Sequence, residues 1–286
     1  MSGRKGTSKD KHGARDRTNH ARRPQQRSEE DVRTTQDQAQ WIYGIHAVAA
    51  ALANPTRQCY RLVATQDGAN ALADTEPEPH FKISIEIVKK AAIASIYPTD
   101  VVHQGVALLA TPLPTESLSD IITRATGEKH ALVIALDQVT DPQNMGAIIR
   151  SAAAFGVLAV LVPDRHSPKI SGAMLKAASG GLETVPLVRP TNLVRALEVL
   201  KSSGFWVVGL DKSAPINLSK SNLSSKCVLT LGSEGKGLRR LTRETCDIMV
   251  QVPLSHSVES LNVSATAAIA LYEWTNQNIS DHQQSK

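Results

Sequence analysis

The feature that most constrains the fold of this chain is a series of short apolar runs in its C-terminal half. Helix-patterned stretches or loops separate these runs, which are predicted as strands at 131–136, 157–162, 183–188, 205–210, 228–231 and 248–252. Continuous apolar strands alternating with helices are typical of a mostly parallel sheet covered on both faces. The sequence therefore predicts an α/β domain over residues 129–278, which ends in a helix at 263–277.

A smaller α/β unit is predicted over residues 41–112. Its expected elements are a helix that ends at Asn54, strands at 61–65 and 106–110, and a mostly helical stretch at 84–96. The first helix should stop there because Pro55 disfavours the α conformation of the residue before it. Residues 113–128 are predicted as a linker between the two units, semi-rigid where prolines begin it.

Both ends of the chain are predicted as tails. Residues 1–28 contain nine Lys and Arg against two Asp and almost no large apolar residue. Such a segment cannot offset the entropy of folding, so residues 1–40 are predicted as a disordered basic tail. It suits phosphate contacts without sequence preference, with a solubilising tail or a mitochondrial presequence as alternatives. Residues 279–286 are predicted as a short C-terminal tail.

Composition excludes several classes of protein. The 286 residues contain no apolar run near the roughly 18 residues of a membrane span, and the polar start does not resemble a secretory signal. Three cysteines form no CxxC pair, and the histidines show no zinc-ligand spacing. We therefore expect a cytoplasmic, reduced protein without a metal. The net charge of +5 suits a polyanionic partner but is too modest to identify one.

Three loops that follow predicted strands contain candidate functional residues, since ligands of such sheets gather at the carboxyl ends of strands. In the first, Asn144 stands where a helix N-cap is expected, and Arg150 falls on the side of that helix away from the core. Taken alone, the two residues are better explained as a helix cap and a solvated charge.

The second loop is rich in glycine, and the third precedes the final helix. Gly232, Gly235 and Gly237 enclose Glu234 between a strand and a helix, as in a nucleotide-binding loop. Their spacing differs from the dinucleotide fingerprint and no Walker A pattern is present, so a tight turn is the simpler explanation of this loop alone. In the third loop, Ser260 and Asn262 could cap the final helix or bind a ribose or a carboxylate.

Together the three loops resemble the SpoU, or TrmH-like, branch of the SPOUT methyltransferases. That family combines a motif containing Asn and Arg, a motif of the form LGSEGxG, and a motif of the form PxxxxxxSLNVS. Here they correspond to Asn144 with Arg150, to residues 231–237, and to Pro253 with residues 260–264. His256 departs from the pattern, because a glycine is usual before the SLNVS segment.

The N-terminal unit extends the resemblance, with YGIHAV at residues 43–48 and HQGV at residues 103–106. The similarity covers about residues 41–276. The fold it implies is a sheet of the SPOUT type whose C-terminal segment forms a trefoil knot, preceded by a small L30e-like domain that binds RNA. The resemblance also implies a homodimer in which each active site borrows residues from the partner subunit.

The activity implied by the resemblance is transfer of a methyl group from S-adenosylmethionine to a ribose 2′-hydroxyl of RNA. Within the family the chain is most similar to enzymes that modify a guanosine of 23S ribosomal RNA. The cofactor-binding residues implied are Leu231, Gly232, Val252, Pro253 and Leu261. The catalytic residues implied are Asn144, Arg150, Glu234, Ser260 and Asn262. Because the pKa of arginine exceeds about 12, we expect Arg150 to stabilise a developing alkoxide or to contact a phosphate rather than to act as a free base.

Two other functions compete with this prediction. The same chemistry could act on transfer RNA, although the extra N-terminal unit favours ribosomal RNA by analogy within the family. A non-catalytic RNA-binding protein would need only the basic arm, the small domain and a dimer. A nucleotide-dependent dehydrogenase is disfavoured, because the glycine fingerprint and the ribose-binding acid are missing.

Overall fold

The computed structural model describes residues 39–278, except residues 76–79, 81–82, 98–100, His166 and residues 256–258. The predicted tails lie outside the described residues, apart from the last two positions of the first one. The loop position occupied by His256 also lies outside them.

The N-terminal unit is a four-stranded sheet with three short helices. Its elements are β1 (Gln40–Tyr43), α1 (Ile45–Ala53), β2 (Cys59–Ala64), α2 (Gln66–Ala73), β3 (Ile85–Ile87), α3 (Lys90–Ala94) and β4 (Val106–Ala110). The strand order is β1-β4-β2-β3, in which β4 runs antiparallel to both of its neighbours. The prediction of a mostly helical stretch at 84–96 was wrong in its first part, because Ile85–Ile87 pairs in parallel with β2 as an edge strand.

The C-terminal unit is a seven-stranded sheet in which every recorded strand pair is parallel. Its elements are β5 (Ala131–Asp137), α5 (Pro142–Ala154), β6 (Ala159–Leu161), α6 (Gly172–Ala178), β7 (Leu187–Val188), α7 (Leu193–Ser202), β8 (Trp206–Leu210), β9 (Ile216–Asn217), β10 (Lys226–Gly232), α8 (Arg240–Thr245), β11 (Ile248–Gln251) and α9 (Val263–Asn278). The order is β7-β6-β5-β10-β8-β11-β9. The predicted mostly parallel sheet is confirmed.

One predicted strand is much shorter than expected, and the predicted linker contains a helix. In the stretch 183–188 only the last two residues form a strand, because the amides of Thr184 and Val185 bond back to the carbonyl of Gly181 in a 3₁₀ turn. Within 113–128, Leu118–Ala125 forms α4, which begins with a capping box at Ser117. The apolar side of α4 is buried against the C-terminal sheet, so this stretch is packed rather than extended.

The two units share one apolar core. Ile42, Val48 and Leu52 of the N-terminal unit belong to the same buried cluster as Met174 and Leu182 of the C-terminal unit. Because this core spans both units, separating them would expose apolar surface on each side.

A buried ion pair crosses the same junction. Arg57 Nη2 lies 2.6 Å from Glu183 Oε1, and the two side chains are 0% and 5% exposed. Asn54 Nδ2 donates to the other carboxylate oxygen of Glu183 at 2.8 Å, and Arg57 also donates to the carbonyl of Thr111. Losing one partner would leave an uncompensated buried charge, so this cluster specifies how the units are joined.

Two further properties of the described residues concern membrane-spanning helices and metal-binding groups of side chains. Across residues 39–278, where the structure describes them, no helix has the length and apolar character needed to cross a membrane. The same described residues contain no group of three or more His, Cys, Asp or Glu arranged to hold a metal ion.

Candidate active site

A cavity of about 290 Å³ lies at the carboxyl ends of β8, β10 and β11. Its apolar wall is formed by Leu210, Leu231, Val252, Leu254, Leu261 and Val263, and its polar residues include Asp211, Ser213, Glu234, Lys236, Arg243 and Ser260. Carboxyl ends of parallel strands are the usual place for ligands in such sheets. The mixture of an apolar wall with a few charged groups suits a small molecule that has both an aromatic and a zwitterionic part.

The loop after β10 turns back so tightly that Gly232, the last residue of the strand, must be glycine. Ser233 and Gly237 exchange backbone hydrogen bonds of 3.2 and 2.9 Å, which folds the loop back on the end of the strand. A Cβ atom on Gly232 would lie 2.1 Å from the carbonyl carbon of Gly237 and 2.4 Å from the amide nitrogen of Leu238. Gly235 and Gly237 adopt positive φ angles of 85° and 67°, which glycine tolerates without strain.

A buried carboxylate anchors the far end of this loop. Asp137 is the last residue of β5 and is fully buried. It accepts hydrogen bonds from the backbone amide of Arg239 at 3.0 Å and from Arg239 Nε at 2.6 Å. Since β5 and β10 are adjacent in the sheet, with Asp137 in register with Gly232, both ends of the loop are fixed to neighbouring strands.

Glu234 joins the three sequence motifs in one hydrogen-bond cluster. Its Oε1 accepts from Asn144 Nδ2 at 3.1 Å, from Asn262 Nδ2 at 3.0 Å and from the amide of Val263 at 3.3 Å. Asn262 Nδ2 also lies 2.8 Å from Asn144 Oδ1. These residues are 90 and 28 positions from Glu234 along the chain, so the cluster is built by the fold rather than by local sequence.

Of the two expected helix caps, one was assigned to the wrong residue. Asp141, not Asn144, caps α5 by accepting from the amides of residues 143 and 144, which leaves the Asn144 side chain available for Glu234. Asn262 caps α9, because its Oδ1 accepts from the amide of Ser264 at 2.8 Å, while its Nδ2 faces Glu234.

Most of the implied cofactor-binding residues line the cavity. Leu231, Gly232, Val252 and Leu261 are in its wall, whereas Pro253 is exposed beside it and does not contribute to the lining. Among the implied catalytic residues, Glu234 and Ser260 line the cavity, and Asn144 and Asn262 reach it through Glu234.

Arg150 is not part of this cavity within one chain. It is exposed on α5 and lines a second, more open cavity together with His46 and residues 179–181. In the described part of the chain its guanidinium has no hydrogen bond or ion pair. Arg150 therefore neither lines the cavity nor belongs to the hydrogen-bond cluster around Glu234.

The charged residues after β8 were missed by the sequence analysis. Asp211 follows the strand directly, accepts from the amide and hydroxyl of Ser213, and pairs with Arg243. Burial acts to raise the pKa of Asp211, but the hydrogen bonds from Ser213 and the charges of Arg243 and Lys212 outweigh it and hold that pKa below its ordinary value. Its position at a strand's carboxyl end was the signal that could have identified it.

Comparison with known proteins agrees with the geometry. The model of the SpoU rRNA methylase family matches residues 131–272, and a model described as RNA 2′-O ribose methyltransferase substrate binding matches residues 41–116. A protein of Vibrio cholerae named 23S rRNA (guanosine-2′-O-)-methyltransferase RlmB is 38% identical over 246 residues, which cover 84% of this chain and 98% of that protein. This chain belongs to the SpoU rRNA methylase family. A protein of Xylella fastidiosa with the same name is 39% identical to this SpoU family member over 243 residues, covering 83% of this chain and 96% of the relative.

Solved structures support the fold of this SpoU family member. The SpoU methyltransferase AviRb from Streptomyces viridochromogenes superimposes with a TM-score of 0.68 at 22% identity, covering 87% of this chain and 93% of that one. An rRNA methyltransferase from Sinorhizobium meliloti, solved with AdoMet bound, gives a TM-score of 0.67 at 21% identity, with 87% and 90% coverage. At these identities the likeness establishes the shared α/β architecture.

Proposed function

We propose that this protein transfers a methyl group from S-adenosylmethionine to the ribose 2′-hydroxyl of a guanosine in 23S ribosomal RNA. The observation that carries the proposal is the cluster in which Glu234 joins Asn144 and Asn262 at the mouth of a cavity. A protein that only binds RNA would not need three distant motifs assembled beside a cavity of ligand size. The relatives named as 23S rRNA guanosine methyltransferases support the same substrate.

The cavity residues fit S-adenosylmethionine. Leucine and valine side chains from three strand ends suit an adenine ring, and the carboxylates of Asp211 and Glu234 suit the positive charges of the amino acid part. When bound, the cofactor supplies a methyl group that is already activated by its attachment to a sulfonium.

The protein would then have three tasks. The folded loop at residues 233–239 excludes water and holds the reactants in line. Asn144 and Asn262 hold Glu234 in place, and Ser260 positions ligand at the cavity wall. Arg150 would stabilise negative charge on the attacking 2′-oxygen or contact an adjacent phosphate, an effect typically worth about 3–4 kcal/mol.

We also propose a homodimer, in which Arg150 of one subunit completes the cavity of the other. Arg150 lines a different cavity from the candidate cofactor cavity within one chain, which supports this arrangement. Ile269 and Tyr272 are large apolar side chains that are 39% and 61% exposed on α9, as expected of a helix with a further partner.

For the finer fold we propose a trefoil knot in the C-terminal unit and an L30e-like N-terminal domain. The contacts of residues 262 and 263 with the loop after β10 support the knot. Such an enzyme would act in the cytoplasm, where ribosomal RNA is available.

The test is methylation with labelled S-adenosylmethionine of separate ribosomal and transfer RNA pools, followed by nucleoside analysis. We expect 2′-O-methylguanosine in large-subunit RNA, lost in Arg150→Ala while that variant keeps its unfolding transition. Near-normal methylation by Arg150→Ala would remove this residue from the mechanism. Label in transfer RNA would keep the chemistry and change the substrate, whereas RNA binding without cofactor binding would favour a non-catalytic RNA-binding protein.

A further inference from the structure

A second cavity lies at the junction of the two units. It has a volume of about 450 Å³ and is open to solvent. Helix α1 of the N-terminal unit contributes His46 and Ala50, and the C-terminal unit contributes Arg150 and Ala153 from α5 together with residues 179–181 and Thr184. We call this cavity the junction groove. It is separate from the candidate cofactor cavity, since the two have no lining residue in common.

The junction groove offers an arginine and a histidine, but no acid, to a ligand. His46 and Arg150 are its ionisable side chains, both are exposed, and none of its described lining residues is acidic. Glu183 is the acid next to the lining residue Thr184 in sequence, but its carboxylate is buried and accepts hydrogen bonds from Arg57 and Asn54. Within the described chain neither the imidazole of His46 nor the guanidinium of Arg150 makes a hydrogen bond or ion pair, so both side chains remain available to an external anion.

The groove is also held in shape before any ligand arrives. The buried pair of Arg57 and Glu183 ties the segment after α1 to the 3₁₀ turn that forms the opposite wall. Gly180 packs so closely on α1 that a Cβ atom there would lie 2.5 Å from the Cβ of Ala50. A groove with fixed walls binds without a large ordering cost.

The two N-terminal motifs of the sequence meet at the start of α1, the helix that contributes His46 to this groove. Gln104, in the HQGV motif, accepts from the amide of Ile45 at 3.2 Å, at the start of the helix that presents His46. A Cβ atom on Gly44 would lie 3.3 Å from Lys176 Cγ, which places a further cationic side chain beside the same helix start. The motifs therefore fix the start of the helix that presents His46 to the groove.

We infer that the junction groove binds the phosphodiester backbone of the substrate RNA next to the modified nucleotide, with His46 and Arg150 contacting the same stretch of strand. This inference rests on the proposed function, because it takes RNA as the substrate. Arginine cations and polar hydrogen-bond donors without neighbouring acids are the usual means of positioning a nucleic acid backbone without reading its sequence. His46 is thus a positioning residue contributed by the N-terminal unit.

The full-length protein is compared with His46→Glu, His46→Arg and Ser84→Glu. Glutamate in the first turn of a helix is favourable, so His46→Glu changes the groove without weakening α1. Ser84 is exposed and precedes β3, at the sheet edge opposite β1, so Ser84→Glu controls for an added acid on the same unit. Each protein is titrated with a transcript of 23S ribosomal RNA and with S-adenosylmethionine, and methyl transfer is measured over a range of RNA concentrations.

We expect His46→Glu to weaken RNA binding and raise the KM for RNA about tenfold, because an acid would face the phosphates. Its kcat and its affinity for S-adenosylmethionine should stay near the parent values, and His46→Arg should bind RNA at least as well as the parent. Equal RNA affinities of His46→Glu and Ser84→Glu would overturn the inference, whereas methylation by the parent would keep the proposed function. RNA binding that depends on His46 without any methyl transfer would support the groove and refute the enzymatic function. A parent that binds no RNA would overturn both.

Discussion

Glu234 is the residue on which the candidate site depends most, because one of its oxygens accepts three hydrogen bonds from two other motifs. In Glu234→Ala the side-chain amide of Asn144 would lose its acceptor, that of Asn262 would keep only Asn144 Oδ1, and the loop would lose its link to α9. We expect kcat to fall about 100-fold, as for other misplaced catalytic groups, and the free energy of unfolding to fall by only about 1 kcal/mol.

Two variants make that test specific. Glu234→Gln keeps an acceptor oxygen and should lose less activity than Glu234→Ala. Glu86→Ala removes an exposed glutamate that is paired with Arg61 on the N-terminal sheet, and it should leave both quantities unchanged within experimental error. Steady-state kinetics and urea unfolding measure both effects. Equal activities of Glu234→Ala and Glu86→Ala would show that the Glu234 cluster does not contribute to catalysis.

Asp211 should make the free energy of unfolding depend on pH in the acidic range. Its pKa is held below the ordinary value, so the folded protein binds this proton less readily than the unfolded chain does. The stabilisation is therefore fully present above the ordinary pKa of about 3.9 and is lost as the pH falls through the lowered pKa. We expect Asp211→Asn to be less stable than the parent from pH 5 to 7, with a difference that shrinks below about pH 4. Urea unfolding over that pH range measures it, and a difference that grows in acid would contradict the assignment.

The identity of individual site residues could be predicted only in part. The sequence motifs placed Glu234, Asn144 and Asn262 in one set, and the structure brings these three together. The cap of α5 was assigned to Asn144 because Asn and Asp are both good caps, and only the backbone geometry selects Asp141. Asp211 belongs to no motif, so its role depends on which loops the sheet order makes adjacent.

At the scale of elements, the loop between β10 and α8 is the most constrained segment of the site. A side chain on Gly232 would collide with backbone atoms of residues 237 and 238, which cannot move without opening the loop. We expect Gly232→Ala to weaken binding of S-adenosylmethionine more than tenfold and to lower the free energy of unfolding by about 1–3 kcal/mol. Calorimetric titration and urea unfolding measure these changes.

Gly235→Ala is the matched control in the same loop. A Cβ atom on Gly235 would meet nothing within 4 Å, so this variant carries only the strain of a positive φ, about 1–2 kcal/mol. Cofactor affinity should therefore fall much less than in Gly232→Ala. If both variants bound the cofactor equally, the close approach at Gly232 would have no part in forming the cavity.

The central strands were predicted well because burial on both faces leaves a continuous apolar run in the sequence. For example, β5 is one residue longer than its predicted run, at the C-terminal end. β10 is longer than its predicted run by two residues at the N-terminal end and by one at the C-terminal end. The edge strands Gln40–Tyr43, Ile85–Ile87 and Ile216–Asn217 were not predicted, because a short strand with one neighbour leaves little apolar pattern. The helix α4 was missed because prolines before it suggested an extended linker.

At the scale of the whole molecule, the proposed homodimer predicts that two inactive variants can restore activity together. Arg150→Ala lacks the arginine and Gly232→Ala binds the cofactor weakly, so at a low cofactor concentration each variant is nearly inactive and a mixed dimer contains one intact site. After co-refolding in equal amounts, random pairing should give about a quarter of the parental activity, because half of the dimers are mixed and each has one working site. Activity assays on the mixture and on each variant alone measure this. A mixture as inactive as its components would place Arg150 and the cavity of the same chain in one site.

The position of Arg150 and the junction between the units were beyond sequence reasoning. Both depend on packing between residues more than 100 positions apart, such as Arg57 with Glu183. Local patterns indicate which side of a helix is exposed, as they did for α5, but not which other unit faces that side.

The core shared by the two units has a consequence for how the protein unfolds. Two domains joined by a flexible tether melt separately, whereas units that bury a common interior lose their structure together. Ile42 and Met174 lie in the same buried apolar cluster. If either unit unfolded alone, Arg57 or Glu183 would also lose its counterion. We expect a single calorimetric transition with equal calorimetric and van't Hoff enthalpies, and two resolved transitions would contradict it. The N-terminal unit would then be an inseparable portion of the folding unit rather than an exchangeable attachment.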